Sequence, residues 1–194
     1  MSDDLKSKQN SRVLWIAGAF GTGKTTTATL LSAAYPGTVV IDPEEIGTIL
    51  RTALQHVVPV RDFQDWGAWR KLVAETINAV AAELPRSGPR LVIVPQTVTN
   101  EKYWLEILNS LKPGIEVVPI VLEVDSDEHS RRAHTDVVER NALRWRLTKF
   151  THFNDASWVR KNFMRIETTG VEPPAVVEAV KRVLEPPDYQ SVLR

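Results

Sequence analysis

Eight residues near the N-terminus, Gly18 to Thr25, match the pattern G-x-x-x-x-G-K-[ST]. The glycines of this pattern let backbone N–H groups turn inward around a phosphate, in conformations that a Cβ atom would oppose. Lys24 would reach the β- and γ-phosphates of a nucleotide, and the Thr25 hydroxyl would bind Mg²⁺. The stretch predicts a phosphate loop that binds ATP, with contacts from Gly18, Ala19, Phe20, Gly21, Thr22, Gly23, Lys24, Thr25 and Thr26.

Asp42 closes the apolar run 38–42 and is the acid that we expect nearest to the phosphate loop. It could deprotonate an acceptor hydroxyl, or contact Mg²⁺ through water. Because Pro43 follows it, Asp42 is also a good N-cap for the next helix, and the two roles are compatible. Run 90–95 is followed by Gln96 and Thr97 rather than by an acid, which disfavours a motor-type ATPase and favours a small-molecule kinase.

Polar and aromatic residues after the second and third apolar runs are candidates for binding an acceptor. Arg51 could anchor an anionic or polar group, or it could be an ordinary exposed helix arginine. In the 61–66 loop, which reads RDFQDW, polar side chains could line a pocket and Phe63 or Trp66 could form a stacking wall, although aromatic loop residues often bury themselves. The predicted acceptor-binding residues are Asp42, Arg51, Asp62, Phe63, Gln64, Arg70, Gln96 and Thr97.

Arginines recur in the segment 127–149. Arg132, Asp136, Arg140 and Arg144 are four residues apart, so they form one helical stripe. This stripe is either a solvated face with weak ion pairs or a lid that brings arginines over the nucleotide. Phosphoryl transfer needs several cations around the transferring group, which favours the lid. We predict catalytic roles for Lys24, Asp42, Arg132, Arg140 and Arg144, and a place beside the nucleotide base for Thr169.

Five apolar runs alternate with helical patterns, which predicts an α/β fold with a doubly wound parallel sheet. The strand-like runs are 12–18, 38–42, 90–95, 116–124 and a weaker run at 164–170. The predicted helices are 24–34, 43–54, 66–84, 101–111, 127–147 and one from about 173 to about 184. Ligands of such sheets bind beyond the carboxyl ends of the strands, where these candidate residues follow.

Composition restricts the class of protein. The 194 residues are 43% hydrophobic and 25% charged, with no net charge and no cysteine. Zero net charge gives no general electrostatic reason to expect nucleic acid as a partner. We expect a cytoplasmic protein without a membrane span, and the oligomeric state stays open. The predicted organisation is a flexible arm at 1–11, one P-loop domain at 12–185 and a tail at 186–194.

Four segments, in this order, resemble the tunicamycin-resistance family of small P-loop proteins: WIAGAFGTGKTTTATLL, VVIDPEEIGTILR, DFQDWGAWRKLVAET and ERNALRWRL. More broadly, the layout is similar to that of the nucleoside-monophosphate-kinase-like P-loop kinases. The resemblance implies a five-stranded parallel sheet of order 2-3-1-4-5, a mobile arginine lid, and ATP with Mg²⁺. It also implies that Asp42 faces the acceptor and that Arg132, Arg140 and Arg144 contact phosphates or the base.

Two functions stay open at this point. One is an ATP-dependent phosphotransferase that acts on a small hydroxylated acceptor, such as a nucleoside antibiotic. The other is a module that binds a nucleotide-like ligand without phosphoryl transfer. A regulatory NTPase switch is disfavoured because no acid follows the third strand.

Overall fold

The computed structural model of the protein describes residues 10–85, 87–135, 153 and 155–184. The strands are β1 Ser11–Gly18, β2 Val39–Val40, β3 Leu91–Pro95, β4 Ile115–Glu123 and β5 Met164–Glu167. The helices are α1 Lys24–Ala34, α2 Pro43–Leu54, α3 Gly67–Glu83, α4 Glu101–Asn109, α5 Ser126–Thr135, α6 Ser157–Asn162 and α7 Pro173–Leu184. A short 3-10 helix, Phe63–Asp65, precedes α3.

The five strands form one sheet in the order β2-β3-β1-β4-β5, and every neighbouring pair is parallel. This arrangement confirms the predicted fold class and strand order. Because the strands are parallel, their carboxyl ends lie at one edge of the sheet, where the phosphate loop follows β1.

Helices pack on both faces of the sheet because side chains alternate along its central strand. Trp15 points to one face, where it meets α3 and α4, and Ile16 points to the other, where it meets α1 and α7. The strand is buried on both faces, so it reads as a continuous apolar run. On α3, Trp69, Val73 and Ile77 are fully buried against the first face, whereas Leu72 is exposed.

Several boundaries differ from the predicted ones. The strand predicted at 38–42 is reduced to Val39–Val40, because Asp42 already caps α2 and Pro43 starts that helix. Ser11, the last residue of the predicted arm, is a buried part of β1. Most of the predicted helix 127–147 and the tail 186–194 lie outside the described residues.

No helix in the described part of the chain is both long enough and apolar enough to cross a bilayer.

Candidate functional site

The phosphate loop joins the end of β1 to the start of α1 in a backbone path that depends on glycine. Gly18, Gly21 and Gly23 have φ values of +149°, +78° and +93°, which disfavour a side chain. A Cβ on Gly18 would lie 2.6 Å from the carbonyl oxygen of Leu122 and from the Thr22 hydroxyl. The loop therefore has the glycine-dependent shape of an anion cradle, and the N-terminus of α1 adds its dipole.

Lys24, the first residue of α1, bends back over this loop. Its Nζ donates to the carbonyl oxygens of Gly18 and Ala19, each at 3.0 Å. Thr25 and Thr26 are exposed at the same helix N-terminus. A lysine and hydroxyl groups thus surround the cradle, and these groups suit the phosphates of ATP and a Mg²⁺ ion.

Asp42 lies at the same edge of the sheet, two strands from β1. Its Oδ1 accepts a hydrogen bond of 2.9 Å from the Glu44 N–H, so the predicted N-cap is present. Two strand spacings put Asp42 about 10 Å from β1 across the sheet. Arg51 is exposed nine residues further along α2, about 13 Å along the helix axis from Asp42. The two residues therefore lie at opposite ends of α2.

The 61–66 loop packs against α2 and α3, and Gln64 bonds it to the segment after β3. Asp62 is buried, and its Oδ1 accepts from the Gln64 N–H at 3.0 Å. The Phe63 ring sits over Gly47 of α2 and lies 5.2 Å from the Trp69 ring, measured between centroids. Arg70 donates to the carbonyl oxygen of Gln64 at 2.6 Å, pairs with Glu106 and stacks on the Tyr103 ring.

Gln96 and Thr97 follow β3 at the point where many P-loop proteins carry an acid. Both are buried. The Thr97 hydroxyl donates to the Gly18 carbonyl oxygen at 2.6 Å and accepts from the Gly18 N–H at 3.0 Å. The Gln64 side-chain amide donates to the Thr97 carbonyl oxygen at 3.0 Å. The hydroxyl of Thr97 and the amide of Gln64 are therefore used within the protein, between the 61–66 loop and the phosphate loop.

The start of α5 and the loop after β5 meet beside the phosphate loop. The Thr169 hydroxyl accepts from the Asp125 N–H at 2.9 Å and donates to Glu167 Oε1 at 2.5 Å. Asp125 Oδ1 accepts a hydrogen bond of 2.8 Å from the Glu128 N–H at the start of α5, so Asp125 is bonded to Thr169 through its N–H and to Glu128 through its side chain. Arg140 and Arg144 lie outside the described residues, as does the side chain of Arg132.

Two residues with contacts near the candidate site were not predicted from the sequence. His129 Nε2 lies 2.9 Å from the Phe20 carbonyl oxygen, and Gly47 leaves room on α2 for the Phe63 ring. A glycine inside a predicted helix is a usable signal, since glycine is unfavourable there without a packing reason. His129 had only its position in the first turn after β4 as a signal.

Comparison with known proteins finds likeness in structure. No protein-family model matches the chain, and no curated sequence matches it. The Deinococcus radiodurans tunicamycin resistance protein aligns with a TM-score of 0.66 at 24% identity, over 90% of this chain and 96% of that chain. A gluconokinase from Sinorhizobium meliloti aligns with a TM-score of 0.57 at 16% identity, over 94% and 98%. Thymidylate kinase from Candida albicans aligns at 0.58 and 15% identity, over 93% of each chain.

These similarities agree with the site geometry on the level of fold. The structural neighbours include two kinases and, as the resemblance in sequence implied, a tunicamycin resistance protein. The chain therefore has the α/β fold of P-loop kinases, with the sheet order β2-β3-β1-β4-β5 and a glycine-rich loop after β1.

Proposed function

We propose that the protein is an ATP-dependent phosphotransferase that moves the γ-phosphate of ATP to a hydroxyl group of a small molecule. One observation carries the proposal: a glycine cradle with Lys24 and a carboxylate, Asp42, stand at the same edge of a parallel sheet. A donor and an acceptor could meet between them, in the crevice beyond the strand ends.

In the proposed reaction the acceptor oxygen attacks the γ-phosphorus, and the bond from that phosphorus to the β–γ bridging oxygen breaks. The acceptor proton passes to the Asp42 carboxylate, and ADP leaves with the bridging oxygen. One carboxylate oxygen of Asp42 is held by the Glu44 N–H, which orients the carboxyl group at the start of α2.

The donor half of the site would be built from the phosphate loop. Backbone N–H groups of residues 18–26 would surround the phosphates, and Lys24 would exchange its two carbonyl partners for phosphate oxygens. Thr25, with Asp42 nearby, would hold Mg²⁺, which neutralises phosphate charge when it is bound. Arg132, Arg140 and Arg144 remain our candidates for further cations, and Thr169 for the border of the base pocket.

The acceptor half is proposed at the α2 side of the crevice, with Asp42, Arg51, Asp62, Phe63 and Gln96. Gln64, Thr97 and Arg70 would shape this half through the contacts that they make within the protein. The tunicamycin resistance protein of D. radiodurans suggests a nucleoside antibiotic as the acceptor to test first. A cytoplasmic location, where ATP is available, is part of the proposal.

The test is incubation of purified protein with γ-labelled ATP, Mg²⁺ and tunicamycin, followed by chromatography and mass spectrometry of the drug. The proposal expects a labelled drug that is heavier by one phosphoryl group. Lys24→Ala should abolish measurable ATP binding. Asp42→Asn should keep ATP binding and lower the transfer rate by about 10²- to 10⁴-fold.

Glu45→Gln is the matched control, because Glu45 is an exposed acid in the same helical turn of α2. We expect it to leave transfer unchanged. Tight drug binding with no phosphorylated product would favour the alternative function, a module that sequesters its ligand. Transfer at full rate by Asp42→Asn would refute the role given to Asp42.

A further inference from the structure

We propose that Thr97 is a positioning residue that holds the phosphate loop and couples it to the 61–66 loop. The inference rests on the proposed function, in which the phosphate loop binds ATP and the 61–66 loop forms part of the acceptor site. It also changes the part expected of Thr97 and Gln64, which were predicted to contact the acceptor themselves.

The first half of the coupling is the double hydrogen bond between Thr97 and Gly18. One hydroxyl group donates to the carbonyl oxygen and accepts from the N–H of the same glycine, at 2.6 Å and 3.0 Å. Thr97 is 2% exposed, so water competes little for these bonds. Gly18 is the first glycine of the phosphate loop, and its φ of +149° must be held for the loop to keep its path.

The second half is the contact from the Thr97 backbone to Gln64. The Gln64 amide donates from Nε2 to the Thr97 carbonyl oxygen at 3.0 Å, and its Oε1 accepts from the Thr99 N–H at 3.2 Å. Gln64 is 4% exposed, and both ends of its amide are bonded to the segment after β3. A shift of Thr97 therefore moves a partner that lies in the middle of the 61–66 loop.

Further contacts hold Gln64 within the 61–66 loop. Arg70 donates to the Gln64 carbonyl oxygen, and Asp62 accepts from the Gln64 N–H, so Gln64 is bonded through its backbone as well as its side chain. Phe63, the adjoining residue, packs on Trp69. The polar chain thus ends at the aromatic ring that we place in the acceptor half.

Lys24 connects this chain to the chemistry. Its Nζ shares the Gly18 carbonyl oxygen with the Thr97 hydroxyl. When Lys24 turns to the phosphates of ATP, that oxygen loses one donor and keeps the bond from Thr97. Binding of ATP is thereby expected to change the strain on Gly18, and Thr97 is the connection through which Gln64 would respond.

The test measures hydrogen exchange of the 61–66 amides with and without saturating MgATP, and MgATP affinity by calorimetry. In the wild-type protein we expect MgATP to change exchange in this segment several-fold. Thr97→Ser keeps the hydroxyl and should keep the response. Thr97→Val keeps the shape and should lose the response at saturating MgATP, while its affinity for MgATP falls about five- to tenfold.

Thr76→Val is the matched control, because the Thr76 hydroxyl also donates to a backbone carbonyl, that of Leu72, within α3. It should behave as wild type, so a general effect of threonine removal is separated from the coupling. If Thr97→Val does not fold, Gln64→Leu interrupts the same connection from the other end and takes the same test.

Three outcomes would overturn the inference: no MgATP response in the wild-type segment, an intact response in Thr97→Val, or a lost response in Thr97→Ser. If the protein does not bind ATP at all, the proposed function fails by itself. The connection is then tested by measuring hydrogen exchange without nucleotide. Faster exchange of Gly18 and of 61–66 in Thr97→Val, but not in Thr97→Ser, supports the connection, and equal exchange refutes it.

Discussion

His129 of α5 lies with its Nε2 2.9 Å from the carbonyl oxygen of Phe20, in the middle of the phosphate loop. This contact joins the helix that follows β4 to the loop that follows β1. The imidazole reaches Phe20 because the Asp125 carbonyl accepts the His129 N–H and holds the residue in the first turn of α5. The first turn of α5 is thus attached to the phosphate loop.

Removal of this attachment should loosen both partners. We expect His129→Ala to speed amide exchange in 126–135 and to weaken MgATP binding about two- to tenfold, in line with one hydrogen bond of roughly 1 kcal/mol. His56→Ala is the control, because His56 is exposed near the end of α2. Unchanged exchange and affinity in His129→Ala would show that the contact stabilises neither α5 nor the phosphate loop.

A second prediction concerns Gly47, whose lack of a side chain seats the Phe63 ring. A Cβ on Gly47 would lie 2.7 Å from two atoms of that ring, so the Phe63 ring must shift from its present place beside Trp69. We expect Gly47→Ala to lower the free energy of unfolding by about 1 to 3 kcal/mol, despite the better helix propensity of alanine.

The matched control for this prediction is Gly67→Ala in α3. There a Cβ would meet its nearest atom, of the Arg70 guanidinium, at an ordinary 3.5 Å. We expect this change to raise the free energy of unfolding by about 0.4 to 1 kcal/mol. Urea unfolding of both variants decides the point, and equal effects would contradict the packing argument.

A third prediction separates a structural arginine from a ligand-binding one. Arg70 is mostly buried; it pairs with Glu106, donates to the Gln64 carbonyl and stacks on Tyr103. Because lysine lacks the planar fork, Arg70→Lys should cost about 1 to 2 kcal/mol of unfolding free energy. Arg160→Lys should cost under about 0.5 kcal/mol, since the Arg160–Asp155 pair is exposed. Similar costs would mean that the Arg70 contacts add no stability.

A fourth prediction concerns acid stability. The pKa of Glu167 is lowered by the hydrogen bond from the Thr169 hydroxyl, then by the N–H groups of Thr169 and Thr168 and by the charge of Arg165, against the opposing effect of burial. Because the folded state prefers the ionised carboxylate, its stabilising effect is present above the unfolded pKa of about 4.3 and is lost as the pH falls through the lower folded value.

Unfolding of wild type and Glu167→Gln should therefore be measured from about pH 7 down to about pH 3. We expect the advantage of the wild type to shrink across the acid end of this range. Titration of Glu167 by NMR in Thr169→Val should give a higher pKa than in the wild-type protein. A pKa that does not respond to loss of the hydroxyl would refute this assignment of cause.

Much of the architecture could be predicted because it depends on local chemistry. The bounds of α1 and α2 were predicted to the residue, since a glycine loop with its lysine begins the first helix and Asp42 with Pro43 begins the second. Continuous apolar runs indicated strands buried on both faces; the parallel sheet confirms the strands, and β1 and β3 are buried as expected, whereas Val40 of β2 is exposed. The end of β2 was placed too late, because capping of α2 takes precedence over the apolar run.

The sequence by itself determined the phosphate loop, the alternation of strands and helices, and the candidate acid after β2, because each depends on residues close together in the chain. Only the tertiary structure decided which polar side chains form hydrogen bonds within the protein. Gly18, Gln64 and Thr97 are 33 to 79 residues apart, and their hydrogen bonds exist only because parallel strands bring those segments to one edge of the sheet. A local sequence pattern does not predict such a contact, because the order of the strands determines which segments become neighbours.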